Sequence, residues 1–201
     1  MSDETFNPLD KRNLGVSIAD ALLLKTPVAL PPSKTFDGAG IYAIYYTGDF
    51  PVYEPIAERN RAGKFKAPIY VGKAIPAGGR KGALEPNVEA GPVLFKRLSE
   101  HADSIRQAKG NIKLEDFYCR YLLVDDIWIP LGESLLIQTF APLWNRTVDG
   151  FGNHDPGAGR YNGQCPPWDI VHPGRAWAVK CKPNPRSQAE WLKTIRDALK
   201  A

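Results

Sequence analysis

The chain has 201 residues, of which 43% are hydrophobic and 24% charged, ordinary values for a globular protein long enough to bury a real core. No apolar run approaches the roughly eighteen residues needed to span a bilayer, and the start, MSDETFNPLDKR, carries acids and a proline where a secretion leader needs an apolar stretch. The expectation is a cytoplasmic protein whose formal net charge of +4 permits a polyanionic partner without demanding one.

In chain order, residues 8–25 read as a helix with Leu14, Ile18 and Leu22 at four-residue spacing, ending before Pro27. PVALPPSKTF is an extended connector, its prolines excluding helix. A first strand covers about 39–47, rich in Ile and Tyr, and a second runs from Pro68 to Gly72. Between them FPVYEPIAERNRAGKFK is far longer than a hairpin loop. Its run Arg59-Asn60-Arg61-Ala62-Gly63-Lys64 favours a functional, groove-tracking arm over a tolerated surface excursion.

From Lys73 to Pro92 the chain is Gly/Pro-rich loop. Pro92 suits the first turn of a helix over about 92–108, with an apolar stripe of Leu94, Leu98, Ala102 and Ile105. Arg97 and His101 are four apart and share a face beside that stripe. A third strand covers about 115–124. A helix over about 130–140 follows, turning Leu131, Leu135 and Leu136 inward and Glu133 to another side. Segment 144–186, rich in Gly, Pro and Trp, has little periodicity and must drape over the domain or a partner. SQAEWLKTIRDALK closes the chain as a helix, with Ser187 and Glu190 forming a capping box.

Three cysteines are too few for a disulfide framework, and Cys119 sits in an apolar strand as core. Cys165, His172 and Cys181 lack the short paired spacings of structural zinc sites. Basic residues cluster in loops. Arg59, Arg61, Lys64, Arg80, Lys81, Arg160 and Arg175 are candidates for phosphate contacts.

Taken singly, Tyr42 and Tyr70 are ordinary strand aromatics, Glu133 a solvated helix face, Arg97 with His101 a surface pair and Asn145 a turn cap. Together they form a set that suits phosphodiester hydrolysis. That reaction needs an activated water, neutralised charge on phosphorus and a stabilised leaving oxygen. Glu133 is the sole carboxylate of the set and offers hard oxygen to one Mg²⁺. Arg97 can hold a phosphate oxygen with its planar fork. A tyrosine has a pKa of about 10 and becomes a plausible base only where cations stabilise the phenolate, here Lys73, His101 or the metal.

Gly40-Ile41-Tyr42, Tyr70-Val71-Gly72, Arg97, Glu133 and Asn145, in this order over about 38–147, resemble the GIY-YIG nuclease superfamily. Val71 stands where the family name has isoleucine, and the two motifs are unusually far apart. The resemblance implies an α+β fold: a small three-stranded, mainly antiparallel sheet flanked by helices, with long DNA-embracing loops. One domain would span 1–201, with a catalytic core at about 38–147, an N-terminal helix and connector at 1–37 and a C-terminal extension at 148–201. It implies Tyr42 as the base near the nucleophilic water, Tyr70 positioning water or phosphate, Lys73 as a basic residue of the centre, and Asn145 supporting Glu133 or the scissile phosphate.

Without the separate DNA module of homing enzymes or the zinc domain of junction nucleases, the chain looks most like a type II restriction endonuclease. FNPLDKRNL and the Arg97/His101 helix place it nearest the group cutting CCGCGG. That resemblance implies one Mg²⁺ per active site, a homodimer on double-stranded DNA and a protective methyltransferase in a bacterial host. The alternatives are a homing or repair-type relative, or a non-catalytic DNA-binding protein that kept the fold. The intact residue set favours a nuclease.

Overall fold

The Ile- and Tyr-rich segment read as the first strand lies at the centre of the molecule. In the computed structural model, which describes residues 7, 9–76, 91–108, 110–157, 159 and 161–200, it forms β2 (Gly40–Tyr46), buried along its whole length. With β1 (Val28–Ala29), β3 (Pro68–Ala74) and β4 (Phe117–Leu123) it makes an antiparallel sheet in the order β1-β4-β2-β3. The expected three strands thus become four, because the connector after Pro27 adds a two-residue strand against Tyr118 and Cys119. Proline cannot donate to a ladder and is confined to sheet edges, so Pro27 and Pro31 keep β1 short and peripheral.

Alternation along β2 divides the core. Ile41, Ala43 and Tyr45 face α1 (Lys11–Leu23) and α4 (Ile129–Phe140). Tyr42, Ile44 and Tyr46 face α3 (Val93–Gln107), whose buried stripe is the predicted Leu94, Leu98, Ala102 and Ile105. The buried residues of α1 are Gly15, Ala19 and Leu22, one step round from the predicted stripe, because Gly15 lets Leu135 of α4 pack closely.

The insertion between the tyrosine strands is a flap packed on the core, with Arg59 and Lys64 left exposed on it. A 3-10 turn (Pro51–Tyr53) leads into α2 (Glu54–Glu58), and Val52, Tyr53, Ile56 and Ala57 are buried in the core. Asn60 pins the flap: its buried amide donates to the carbonyls of Tyr46 and Ala67 at 3.0 and 2.8 Å and accepts from the Ala67 N–H at 2.9 Å. Hydrophobic residues at both 52–53 and 56–57 outweigh the basic run in deciding where the segment goes.

The C-terminal third drapes over the α3 side of the sheet. α5 (Leu143–Arg146) and α6 (Pro167–Val171) bring Trp144, Trp168 and Val171 into the core, joined by Phe151, and α7 (Gln188–Ala198) starts with the predicted Ser187–Glu190 capping box. Cys119 is buried, as expected of a core residue. Among the described residues no helix is long and apolar enough to cross a membrane.

Arg175 corrects the sequence reading most sharply. Expected at a DNA contact, it is 1% exposed. Its guanidinium lies between the rings of Trp168 and Trp177, 4.6 Å from each centroid. It donates to Asp169 at 2.7 Å and to the carbonyls of Gly150, Phe151 and Asn153 at 2.8–3.1 Å. Once those carbonyls leave water they require donors, and a five-donor guanidinium supplies them from one side chain.

Candidate active site

The β2–β3 register sets Tyr42 opposite Gly72. A Cβ at Gly72 would run into the Tyr42 phenol and the Tyr70 ring, so the second motif ends in glycine to let the first motif's tyrosine pass over it. Tyr42 and Tyr70 lie on the α3 side with ring centroids 6.3 Å apart. One turn apart on α3, Arg97 and His101 rise against them. The Tyr42 hydroxyl and His101 Nε2 are 2.6 Å apart in the interior. The His101 ring stacks on Phe151 (4.5 Å, 18°) and meets Tyr70 edge-on at 5.2 Å.

Burial sets the protonation of this cluster. Desolvation, then the charges of Arg97 and its neighbours, hold His101 well below the ordinary histidine range, so its ring is neutral. Burial, assisted by the neighbouring Tyr70, pushes Tyr42 well above 10, while Arg97 works in the opposite direction. Tyr70 moves up for the same first reason, again opposed by Arg97. The resting pair is a neutral phenol against a neutral imidazole, with Arg97 as the cation acting on both phenols. His101 and Lys73 were expected to stabilise a phenolate; His101 is uncharged, and Lys73 is engaged elsewhere.

Lys73 pairs with Ile41 in the β2–β3 ladder and so belongs to the α4 side of the sheet. There its ammonium meets the Glu133 carboxylate from α4 at 2.7 Å. β3 is an edge strand, so groups from the two faces of the sheet come together along it. Glu133 is near enough for its negative charge to contribute to the raised pKa of Tyr42 and of Tyr70.

Asn145 was expected at Glu133 or the phosphate. Instead its amide accepts from the Val71 N–H and donates to the Val71 carbonyl, both at 2.8 Å. It completes the outer edge of β3 as another strand would, which satisfies the backbone and closes the edge to pairing.

The chain beyond the predicted core closes the site. Arg97 Nη2 donates to the Gly152 carbonyl at 2.7 Å, and Nη1 faces Glu100 at 3.2 Å and the imidazole of His154. A Cβ on Gly152 would lie 2.6 Å from the Tyr70 hydroxyl, so only glycine lets this backbone approach so closely. Phe151, Gly152 and His154 escape sequence reasoning because they lie in an aperiodic segment some fifty residues from their partners. The available signal was that His154 is one of only three histidines, set in a Gly/Asn/Asp turn sequence.

Of the candidate DNA contacts, Arg59 and Lys64 are exposed on the flap. Arg61 is tied inward to Glu54, to the Thr47 carbonyl at 2.9 Å and to the Gly48 carbonyl. Arg175 is internal, as described. Arg80, Lys81 and Arg160 lie outside the described residues. The cluster thus assembles Tyr42, Tyr70, Arg97 and His101 on one face, Lys73 and Glu133 on the other, and Asn145 on the strand between them.

Residues 34–199 match the Eco29kI GIY-YIG domain, and the chain belongs to this family of type II restriction endonucleases. The match runs well past the motif residues and takes in the loop carrying Phe151, Gly152 and His154. No curated protein matches the chain. Membership makes it a GIY-YIG nuclease that binds DNA.

Proposed function

We propose that the chain is a restriction enzyme that cuts both strands of a GC-rich palindrome, CCGCGG, with Tyr42 as the base that activates water. The observation that carries this reading is the buried Tyr42–His101 pair beside Arg97, with the Glu133 carboxylate at the same strand edge. It is one cytoplasmic domain of a bacterial cell, acting as a homodimer whose two-fold matches that of the site, with a methyltransferase protecting the host DNA.

The Tyr42–His101 geometry supports a proton relay in place of a standing phenolate. Neutral His101 can accept at Nε2 the proton that Tyr42 donates, while the Tyr42 oxygen takes a proton from the attacking water. At the end of the reaction Tyr42 is again a phenol, His101 is an imidazolium, the water oxygen is bonded to phosphorus, and the P–O bond to the leaving sugar oxygen has broken, that oxygen taking a proton from solvent. Arg97 holds a non-bridging oxygen and neutralises charge as it builds. Tyr70, edge-on to His101, orients the water or the phosphate. Asn145 keeps β3, and with it Tyr70 and Lys73, in register.

The site's donor chemistry fits a divalent ion. Glu133 is partly exposed, its side chain 18% accessible, and presents hard carboxylate oxygen with a single cationic partner. Glu133, with water and phosphate oxygens, would hold one Mg²⁺, and Lys73 would orient the carboxylate. Bound there, Mg²⁺ supplies Lewis-acid stabilisation of the leaving oxygen.

Incubating the purified protein with plasmid DNA and Mg²⁺ tests this. Discrete bands are expected, with sequenced ends falling at one palindrome. Glu133→Gln and Tyr42→Phe should each lower the rate by at least about a hundredfold, the lower end of what a positioned base contributes. Wild-type cutting by both variants would refute the residue assignment, and a random smear would refute site specificity.

A further inference from the structure

We propose that His154 is a second phosphate-contacting residue of this site, sharing the scissile phosphate with Arg97. The inference rests on the reading above that Arg97 binds that phosphate.

The guanidinium of Arg97 has two working ends. Nη2 is committed to the Gly152 carbonyl at 2.7 Å. Nη1 points outward, where the His154 ring nitrogen sits against it and Glu100 approaches at 3.2 Å. A ring-nitrogen lone pair facing a guanidinium N–H occupies the position that an anionic oxygen takes in an arginine–phosphate pair. In the free enzyme His154 therefore stands where a phosphate oxygen would bind.

Packing does not demand an imidazole there, since the His154 side chain is 59% exposed. The backbone brings it to that place. Arg175, buried with Asp169 between two tryptophans, anchors the carbonyls of Gly150, Phe151 and Asn153 and so holds position 154 toward Arg97. His154 also borders an open groove of about 470 Å³ lined by Gly152, Asn153, Gln164 and Trp177.

When a phosphate oxygen takes over Nη1, the displaced imidazole picks up a proton from solvent and donates Nε2–H to a neighbouring oxygen of the same phosphate. The groups facing it set the balance. Burial and the charges of Arg97 and Arg175 keep His154 neutral in the free enzyme, while Glu100, 3.6 Å from Nε2, favours the cation. The incoming negative charge tips the balance toward imidazolium. His154 thus adds one positive charge only when DNA is bound.

The test compares wild type, His154→Ala, His154→Gln, Arg97→Ala and Glu133→Gln in plasmid cleavage over a range of NaCl concentrations, with urea midpoints as the folding control. For His154→Ala the expected result is a fall in kcat/KM of about 10- to 100-fold, as for a lost hydrogen bond to a charged group. The slope of log(kcat/KM) against log[NaCl] should become shallower by about 0.9, one phosphate contact fewer. His154→Gln should regain part of the rate but keep the shallower slope, because it restores a donor without the charge. An unchanged salt slope in His154→Ala, at whatever rate or urea midpoint, overturns the proposal while Arg97→Ala and Glu133→Gln remain inactive. Wild-type cutting by Arg97→Ala or Glu133→Gln overturns the underlying reading of the site.

Discussion

Arg175→Met would remove a buried side chain that ties together the loop segments of the C-terminal third. The guanidinium is 1% exposed, and Asp169, its partner, is 4% exposed. The substitution strands that carboxylate and frees the carbonyls of Gly150, Phe151 and Asn153 from their common donor. Breaking a buried pair by removing one member costs about 3–5 kcal/mol. Total stabilities are about 5–15 kcal/mol, so about a fifth or more is at stake. At about 2–4 °C per kcal/mol for a chain of this size, Tm should fall by about 6–20 °C. Urea denaturation followed by tryptophan fluorescence measures the loss, and Trp168 and Trp177 flank the substituted side chain. Adding Asp169→Asn should recover about 1–3 kcal/mol by removing the stranded charge, yet not all of it, because the carbonyls stay without a donor. A cost below about 1 kcal/mol for Arg175→Met, or full recovery in the double variant, would refute the view of Arg175 as the donor that satisfies this loop.

Asn145→Ala should cost about 1–3 kcal/mol, since it removes two 2.8 Å hydrogen bonds from an edge strand. Hydrogen exchange should show the Val71 amide losing its protection, and retained protection would contradict the edge-pairing role. Stability should also fall in mild acid. His101 is held well below the ordinary value, and His172, bonded to Tyr53 at 2.6 Å and to Asn111 at 2.8 Å, is lowered to about 3 by burial. A depressed folded pKa means that the unfolded chain binds the proton first. The stabilisation is therefore complete above about pH 6.5 and is lost as pH falls from there toward the folded values. Each histidine contributes a slope of about 1.4 kcal/mol per pH unit. Urea titrations at pH 7, 6 and 5 should show progressive loss, flattened by about half in His172→Gln, and a pH-independent midpoint would refute the buried, neutral assignment.

The legible part of the molecule was whatever repeats within a single element. The two-residue alternation of β2 placed Tyr42 on one face, and the helical spacing of Arg97 and His101 placed both on one side of α3, so the tyrosine–histidine–arginine face followed from local pattern. The Ser187–Glu190 box was readable because its bonds join residues three apart. What stayed hidden depended on partners far apart in the chain. Asn145 reads as a turn cap until the Val71 N–H and C=O are found paired with its amide on the outer side of β3. The basic flap reads as an arm, and only the folded chain shows Val52, Tyr53, Ile56 and Ala57 seated in the core. Arg175 reads as a DNA contact until three carbonyls, Asp169 and two tryptophans close around it. Charge type and spacing announce what a side chain can do, but whether it meets solvent, a carbonyl or a ring is settled by which distant backbone groups the folded chain leaves unpaired. Residue types and local spacing point to the chemistry of the candidate site, and among the described residues long-range packing settles which cations reach solvent, because buried polar groups claim donors before solvent or DNA can.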